Sequence, residues 1–296
     1  MAPTLTGLGE CMIEMSQAEG GLYRRSFAGD VVNTLWYARR DLAEDWAVRF
    51  HTGLGIDPSS AAMEAFLNDA EIGTGTVLRV PNRRPGLYMI HLDGAERSFE
   101  YWRDSSAARM LASDDTALDA AVAGNTMVYL SGITLAILPP HDADRLLSAL
   151  AEARRAGSRI AFDPNIRPAL WPDPDRMRDI LTLGAARADI VLPSFDDEAA
   201  HFGDATPKAT ADRYDPDGDR IVVVKNGPGD VCLRAAGTTR HLDTPPVPAP
   251  VDTTGAGDSF NGAFLAAILL GRDVEDAVRA GQRRAAEVIC HHGALI

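Results

Sequence analysis

The sequence predicts an α/β protein: a mostly parallel sheet with helices on both faces, and a smaller sheet standing apart from it. Three observations carry this. Apolar runs at Val128-Tyr129-Leu130, Ile160-Ala161-Phe162, Ile190-Val191-Leu192 and Val222-Val223-Val224 recur about every thirty residues, the length of a βαβ unit. Helical patterns fill the intervals, as at 141–156 and 176–187. Residues 74–104 break that rhythm: the runs 86–92 and 97–103 flank Asp93-Gly94, a hairpin signal.

In chain order, Thr4 to Leu8 reads as a short strand entering Gly9-Glu10. Met12–Met15 and Leu22–Arg25 flank Glu19-Gly20-Gly21, a second hairpin. Gly29-Asp30 stands where a helix through Leu35–Arg40 is capped. Val48–Thr52 is a further core strand, followed by a helix at 59–68. Thr76–Arg79 reads as a strand, and with both hairpins it is expected to build the separate sheet. Tyr101 and Arg103 fall on one face of the second hairpin. Asp215-Pro216-Asp217-Gly218-Asp219 is expected to be a solvated turn, since its glycine is misplaced for a calcium loop and no Glu closes it. The Pro245–Pro250 tract is a stiff connector delivering the chain to Asp252.

Composition sets the bounds. With 296 residues, 46% of them apolar, one large α/β domain over 1–296 is expected. A formal charge of −13 argues against a nucleic-acid or anionic-membrane partner. Lysine occurs at 208 and 225 only, so arginine supplies nearly all the basic charge. Cys11, Cys232 and Cys290 are too scattered for a disulfide framework and read as small core residues. The seven histidines lack metal-ligand spacing. No secretory pattern and no apolar run of about 20 residues is present, so a soluble cytoplasmic protein is expected.

Asp252-Thr253-Thr254-Gly255-Ala256-Gly257-Asp258 organises the rest, leading into an apolar helix that Gly271 stops. Small residues at a helix start let backbone N–H groups approach an anion, with the helix dipole behind them. An Asp pointing there can accept the proton of an attacking hydroxyl while those groups hold the transferred charge. In a parallel sheet the partners of such a site lie just past the strand C-termini. Here those ends are Ser131-Gly132, Asp163–Arg167, Pro193-Ser194 and Lys225-Asn226-Gly227.

Over the fourteen positions Asp252–Leu265 the stretch resembles the second signature of the ribokinase-like (phosphofructokinase-B) carbohydrate kinases, and nearly the whole chain is similar to that family. The resemblance implies a three-layer α/β/α sandwich with a small β-sheet lid, drawn from about 11–28 and 75–104, and sugar held between them. It makes Asp258 the catalytic base and the backbone of Gly255, Ala256 and Gly257 the anion hole. ATP and Mg2+ are implied, without a Walker A lysine. The nucleotide would meet Ser194, Lys225, Gly227, Gly229 and Gly257. Glu198 would serve the metal indirectly, although Phe195 stands where the family has Asn, and a monovalent cation would lie near Asp252.

Segments 9–14, 29–34 with 37–40, and 162–171 resemble the family's 2-keto-3-deoxy sugar-acid kinases. That implies a pocket of Gly29, Asp30, Asn33, Tyr88, Tyr101, Arg103 and Arg167, the guanidinium forks suiting a carboxylate. The expected reaction is phosphorylation of the acid's terminal hydroxyl. Two readings compete: a kinase of a neutral sugar such as fructose or ribose, and a catalytically silent sugar or nucleotide sensor on the same scaffold. The exposed lid edges also suggest pairing between two copies of the chain.

Overall fold

In the computed structural model, which describes residues 2–93 and 96–296, the chain enters through β1 (Thr4–Leu8), buried along its whole length. It then leaves the core for the hairpin β2 (Met12–Gln17) and β3 (Tyr23–Ala28). The return to the core at Gly29 is tight. A β-carbon there would lie 2.2 Å from the Glu10 carbonyl oxygen, so only glycine fits where the two crossings of chain meet. Helix α1 (Asp30–Asp41) starts at that point.

β4 (Ala47–His51) and β5 (Gly53–Leu54) follow. α2 (Pro58–Asp69) has Pro58 in its first turn, and Asp57 caps it by accepting from the N–H of Ser59 and Ser60. Next come β6 (Ile72–Gly73), β7 (Leu78–Arg79), β8 (Gly86–Asp93) and β9 (Glu96–Trp102). The regular part runs α3 (Asp115–Val122), β10 (Met127–Ser131), α4 (Gly132–Ile137), α5 (Pro140–Arg155), β11 (Arg159–Asp163), α6 (Pro174–Arg187) and β12 (Ile190–Val191). It continues with α7 (Phe195–Phe202), α8 (Pro207–Tyr214) and β13 (Ile221–Val224). The chain finishes on β14 (Val231–Ala235), β15 (Thr238–Leu242), α9 (Ala256–Leu269) and α10 (Val274–Val288).

The central sheet is ordered β15-β14-β13-β12-β11-β10-β1-β4-β6. It is parallel from β6 to β13 and antiparallel at β13–β14–β15. Alternation along the strands divides the core in two. Met127 and Tyr129 of β10 pack with residues of α1, α2, α9 and α10, whereas Val128 and Leu130 pack with residues of α3, α5 and α6. That is the expected three-layer sandwich. Helix α9 is the apolar helix read from the sequence, and every residue from Ser259 to Ile268 is buried. Among the described residues, no helix is long and apolar enough to cross a membrane.

The second sheet has the order β3-β2-β8-β9, so the two hairpins do join. Gly94 of the expected Asp93-Gly94 turn lies outside the described residues. Residues 76–79 depart from expectation. Only Leu78–Arg79 is extended, and it pairs with β5 in a separate two-stranded sheet, because Leu78 N and Val80 N donate to the Thr52 and Leu54 carbonyls. The expected solvated turn at 215–219 holds for Pro216, Asp217 and Asp219, which are exposed, but not for its first residue. Asp215 is fully buried, accepting from Arg234 Nε (2.8 Å) and Arg220 N (3.0 Å), so it pins the approach to β13. Cys11 and Cys232 are buried as expected, but Cys290 is exposed.

Candidate active site

The loop 252–258 is folded by its own polar atoms. Asp252 Oδ1 accepts from Thr254 N (3.0 Å) and Thr254 Oγ1 (2.7 Å), and Oδ2 accepts from Gly293 N (2.8 Å). Gly255 has φ 76°, and a β-carbon on it would lie 2.9 Å from Ala294, so glycine is required twice over. Residues 293–296 thus brace the loop from outside. Tyr37 Oη completes this by donating to Ala294 O (2.6 Å) and accepting from Ile296 N (3.3 Å). No local pattern marks this brace, since it joins positions more than 250 apart.

Helix α9 begins directly after Gly255. The N–H of Ala256 bonds back to Thr253 O (3.2 Å), which removes it from the expected anion hole. The N–H groups of Gly257 and Asp258 make no hydrogen bond among the described residues, as the first turn of a helix allows. They are the donors left for an anion.

Asp258 is in no ion pair among the described residues. Asn33 Nδ2 donates to its Oδ2 (2.8 Å), and the Asn33 Oδ1 accepts from Gly29 N (3.4 Å). Burial, then the neighbouring Asp30, pushes the Asp258 carboxyl up to about 7; the Asn33 hydrogen bond opposes this, Asp163 adds to it and Lys225 opposes it. A base poised near neutrality is what proton transfer from a hydroxyl needs.

The strand ends supply the rest of the floor. Asp30 accepts from Asn165 Nδ2 (2.7 Å), tying α1 to the loop after β11, two residues before Arg167. Arg167 is half-exposed; its Nη1 donates to the Ile166 carbonyl (2.7 Å) and lies 3.7 Å from Asp197 Oδ2. Lys225 does not reach outward as a nucleotide contact would. It is buried against Asp163 (2.8 Å) and Asn261 (3.1 Å), two residues whose part the sequence reading missed. Ser194 bridges to Lys225 in the backbone at the start of α7. Gly227 adopts φ 52°, while the Gly229 N–H is already used on Asn226 O (2.8 Å), so Gly229 offers no free donor.

Glu198 is fully buried, accepting from Arg213 Nη2 (2.7 Å) and from Tyr214 Oη on both oxygens, and burial pushes its carboxyl up to about 7. Both of its oxygens are engaged in the α7–α8 packing, which suits an indirect part and not direct coordination. No group of three or more His, Cys, Asp or Glu among the described residues forms a metal cage.

The wall is the smaller sheet. Tyr88 and Tyr101 are cross-strand partners with ring centroids 5.7 Å apart, and Phe99 stacks on Tyr101 at 6.3 Å. Tyr88 Oη donates to Glu14 Oε2, which a sequence reading could not pair. Arg103 sits past the strand end, on the same side as Tyr101, 5.7 Å from its ring. Its guanidinium is not free: Nη2 pairs with buried Glu10 Oε2 at 2.5 Å, and Ser106 Oγ donates to Glu10 Oε1. Its Nε is buried with no hydrogen bond among the described residues. Glu10 lies two residues past the end of β1, so this pair fastens the small sheet to the floor.

A floor of this kind, with free helix-start N–H groups beside a carboxylate near neutrality and a separate sheet at the strand ends, suits transfer of a phosphoryl group to a hydroxyl. The chain belongs to the pfkB family carbohydrate kinases, whose family profile matches residues 7–296. It is 36% identical over 304 residues to the 2-dehydro-3-deoxygluconokinase of Escherichia coli (strain K12), covering 100% of this chain and 98% of that protein. It is 37% identical over 297 residues to the 2-dehydro-3-deoxygluconokinase of Dickeya dadantii (strain 3937), covering 98% and 95%. Among solved structures, the PfkB protein from Polaromonas sp. JS666 superposes with a TM-score of 0.84 at 25% identity, over 99% of this chain and 97% of that one.

Proposed function

We propose that this protein is an ATP-dependent 2-dehydro-3-deoxygluconokinase, phosphorylating the terminal hydroxyl of the sugar acid. The observation that carries the reading is the full-length similarity to sugar-acid kinases, joined to the position of Asp258 beside free N–H groups at the start of α9. Asp258 in its ionised form takes the proton of the attacking hydroxyl. Asn33 holds the carboxylate in place through its 2.8 Å hydrogen bond. The Gly257 and Asp258 N–H groups receive the charge on the transferred phosphoryl group.

The acid's carboxylate is assigned to Arg167, whose half-exposed guanidinium, paired loosely with Asp197, makes one hydrogen bond among the described residues. Arg103, with one edge on Glu10 and an Nε without a partner among the described residues, is assigned to the sugar's other side, and Tyr88 and Tyr101 to its cover. Magnesium fits as an ion carried by the nucleotide phosphates, since Mg2+ keeps much of its water and needs few protein ligands. When bound it neutralises phosphate charge. A second copy of the chain pairing along the lid is supported by the exposure of Leu22, Tyr101 and Trp102 there.

The deciding experiment is a coupled assay of ADP release against a panel of 2-keto-3-deoxy sugar acids and neutral sugars. Turnover with the acids exceeding that with fructose and ribose by at least tenfold in kcat/KM supports the reading. Preference for a neutral sugar, or ligand binding with no ADP release, overturns it.

A further inference from the structure

The chain has two lysines, and one of them, Lys225, lies beneath the turn that carries Asp258. Its ammonium donates to Asp163 Oδ2 (2.8 Å) and Asn261 Oδ1 (3.1 Å), and Asn261 Nδ2 donates to the same Asp163 oxygen (2.6 Å). The three residues come from three elements: the end of β11, the residue after β13, and α9. Asn261 is fully buried one helical turn past Asp258, while the Lys225 and Asp163 side chains are 11% and 5% exposed. A β-carbon on Gly257 would lie 3.7 Å from Lys225 Nζ, so the cation sits directly behind the residue preceding Asp258.

We infer that Lys225, clamped by Asp163 and Asn261, is a positioning residue that fixes the charge under Asp258 and so how readily that carboxylate takes the hydroxyl proton, acting through the fold and not as a ligand of the nucleotide. The inference rests on Asp258 being the base.

The surroundings explain why a cation is needed. The groups acting on Asp258 are Asp30 from α1, Asp163 from the end of β11 and Lys225 from beyond β13, with the neutral amide of Asn33 on one oxygen. The hydroxyls of Tyr37 (α1) and Tyr129 (β10) also feel Asp258, and burial keeps both protonated. Three carboxylates therefore share one floor, and Lys225 is the cation among these groups. Losing Lys225 also strands Asp163 as an unpaired buried anion, which acts on Asp258 in the same direction. Losing the Asp163 charge strands Lys225 as an unpaired cation and acts in the opposite direction. The two positions therefore make a pair of variants with opposite signs.

The experiment is the pH dependence of kcat/KM for wild type, Lys225→Met, Asp163→Asn, the double variant and Lys225→Arg. The acidic limb is expected to move up by about one pH unit in Lys225→Met, and down by a similar amount in Asp163→Asn. The double variant is expected near the wild-type limb, and Lys225→Arg, which keeps the charge, close to it. The ATP KM should stay within about threefold of wild type in Lys225→Met. Limbs that stay in place, or that move the same way in both single variants, overturn the inference; so does an ATP KM raised tenfold or more with the limb unmoved. If Lys225→Met does not fold, Asp163→Asn decides alone. The carbon-13 carboxyl titration of Asp258, assigned by difference from Asp258→Asn, then reads the shift without turnover. Near-normal turnover in Asp258→Asn would instead dismiss the base itself, a separate failure from unmoved limbs in an otherwise Asp258-dependent enzyme.

Discussion

The floor of the site and its wall are built on opposite plans. On the floor, Asp163, Asn261, Lys225 and Asn33 are buried or nearly so and hydrogen-bonded to one another or to Asp258. On the wall, Phe99, Tyr101 and Trp102 are 45–51% exposed, and Arg103 keeps a buried N–H without a partner among the described residues. The floor is set by folding, so its dipoles and charges need no rearrangement when the reaction occurs. The wall leaves aromatic surface and donors uncommitted, so its interactions are completed by what binds there. Rate should therefore depend on the buried part of the floor, and choice of substrate on the wall together with the half-exposed Arg167 at the floor's edge.

The largest break in that division should come from Asp258→Asn. Turnover is expected to fall by about 10³-fold, within the range for loss of a general base, with the sugar-acid KM nearly unchanged. Steady-state kinetics checks this, and a variant with altered KM and intact kcat would place Asp258 with the wall. Next, Arg167→Ala should raise the KM for the sugar acid by about 30- to 100-fold, the cost of a lost charge-assisted contact. Its kcat, and any activity on a neutral sugar, should be little affected.

The acid titration follows from the floor alone. Because the Asp258 carboxyl is pushed up to about 7, kcat/KM should fall about tenfold for each pH unit below that value as the base is protonated. The same shift has a consequence for stability. The folded-state value lies above the ordinary 3.8, so the folded protein binds the extra proton between those values and loses stability as pH rises through that window. Asp258→Asn removes this titration. At pH 8 it should be more stable than wild type by about 1–2 kcal/mol, the full shift being discounted because the residue is partly exposed, and the gain should vanish near pH 4. Urea unfolding at the two pH values measures it. The smallest effect belongs to the wall: Tyr101→Ala should raise the sugar-acid KM about three- to tenfold without changing kcat, for loss of one partly exposed ring.

Much of the chain was legible because it rests on local rules. The period of the apolar strands and the glycine loop before α9 each follow from neighbouring residues, and both are present in the structure. The edge strands β14 and β15 were not read, since they break the βαβ rhythm and turn at Ala236-Gly237, which lacks the Asn-Gly or Asp-Gly signal. Asp215 was misjudged for a physical reason. A charged residue in polar surroundings looks solvated in a sequence, and only packing shows that Arg234 pairs with it in the interior.

The sequence by itself determined the layers, the two sheets and the carboxylate at the start of α9, because hydrophobic period and glycine chemistry act over a few residues. Tertiary structure alone decided that Lys225 turns inward to Asp163 and Asn261, that Arg103 is shared with Glu10, and that residues 293–296 close over Gly255. Those choices depend on which charges can be buried only if paired, and the partners stand 36 to 93 positions apart for the lysine and arginine contacts. No pattern within a short window records such a pairing.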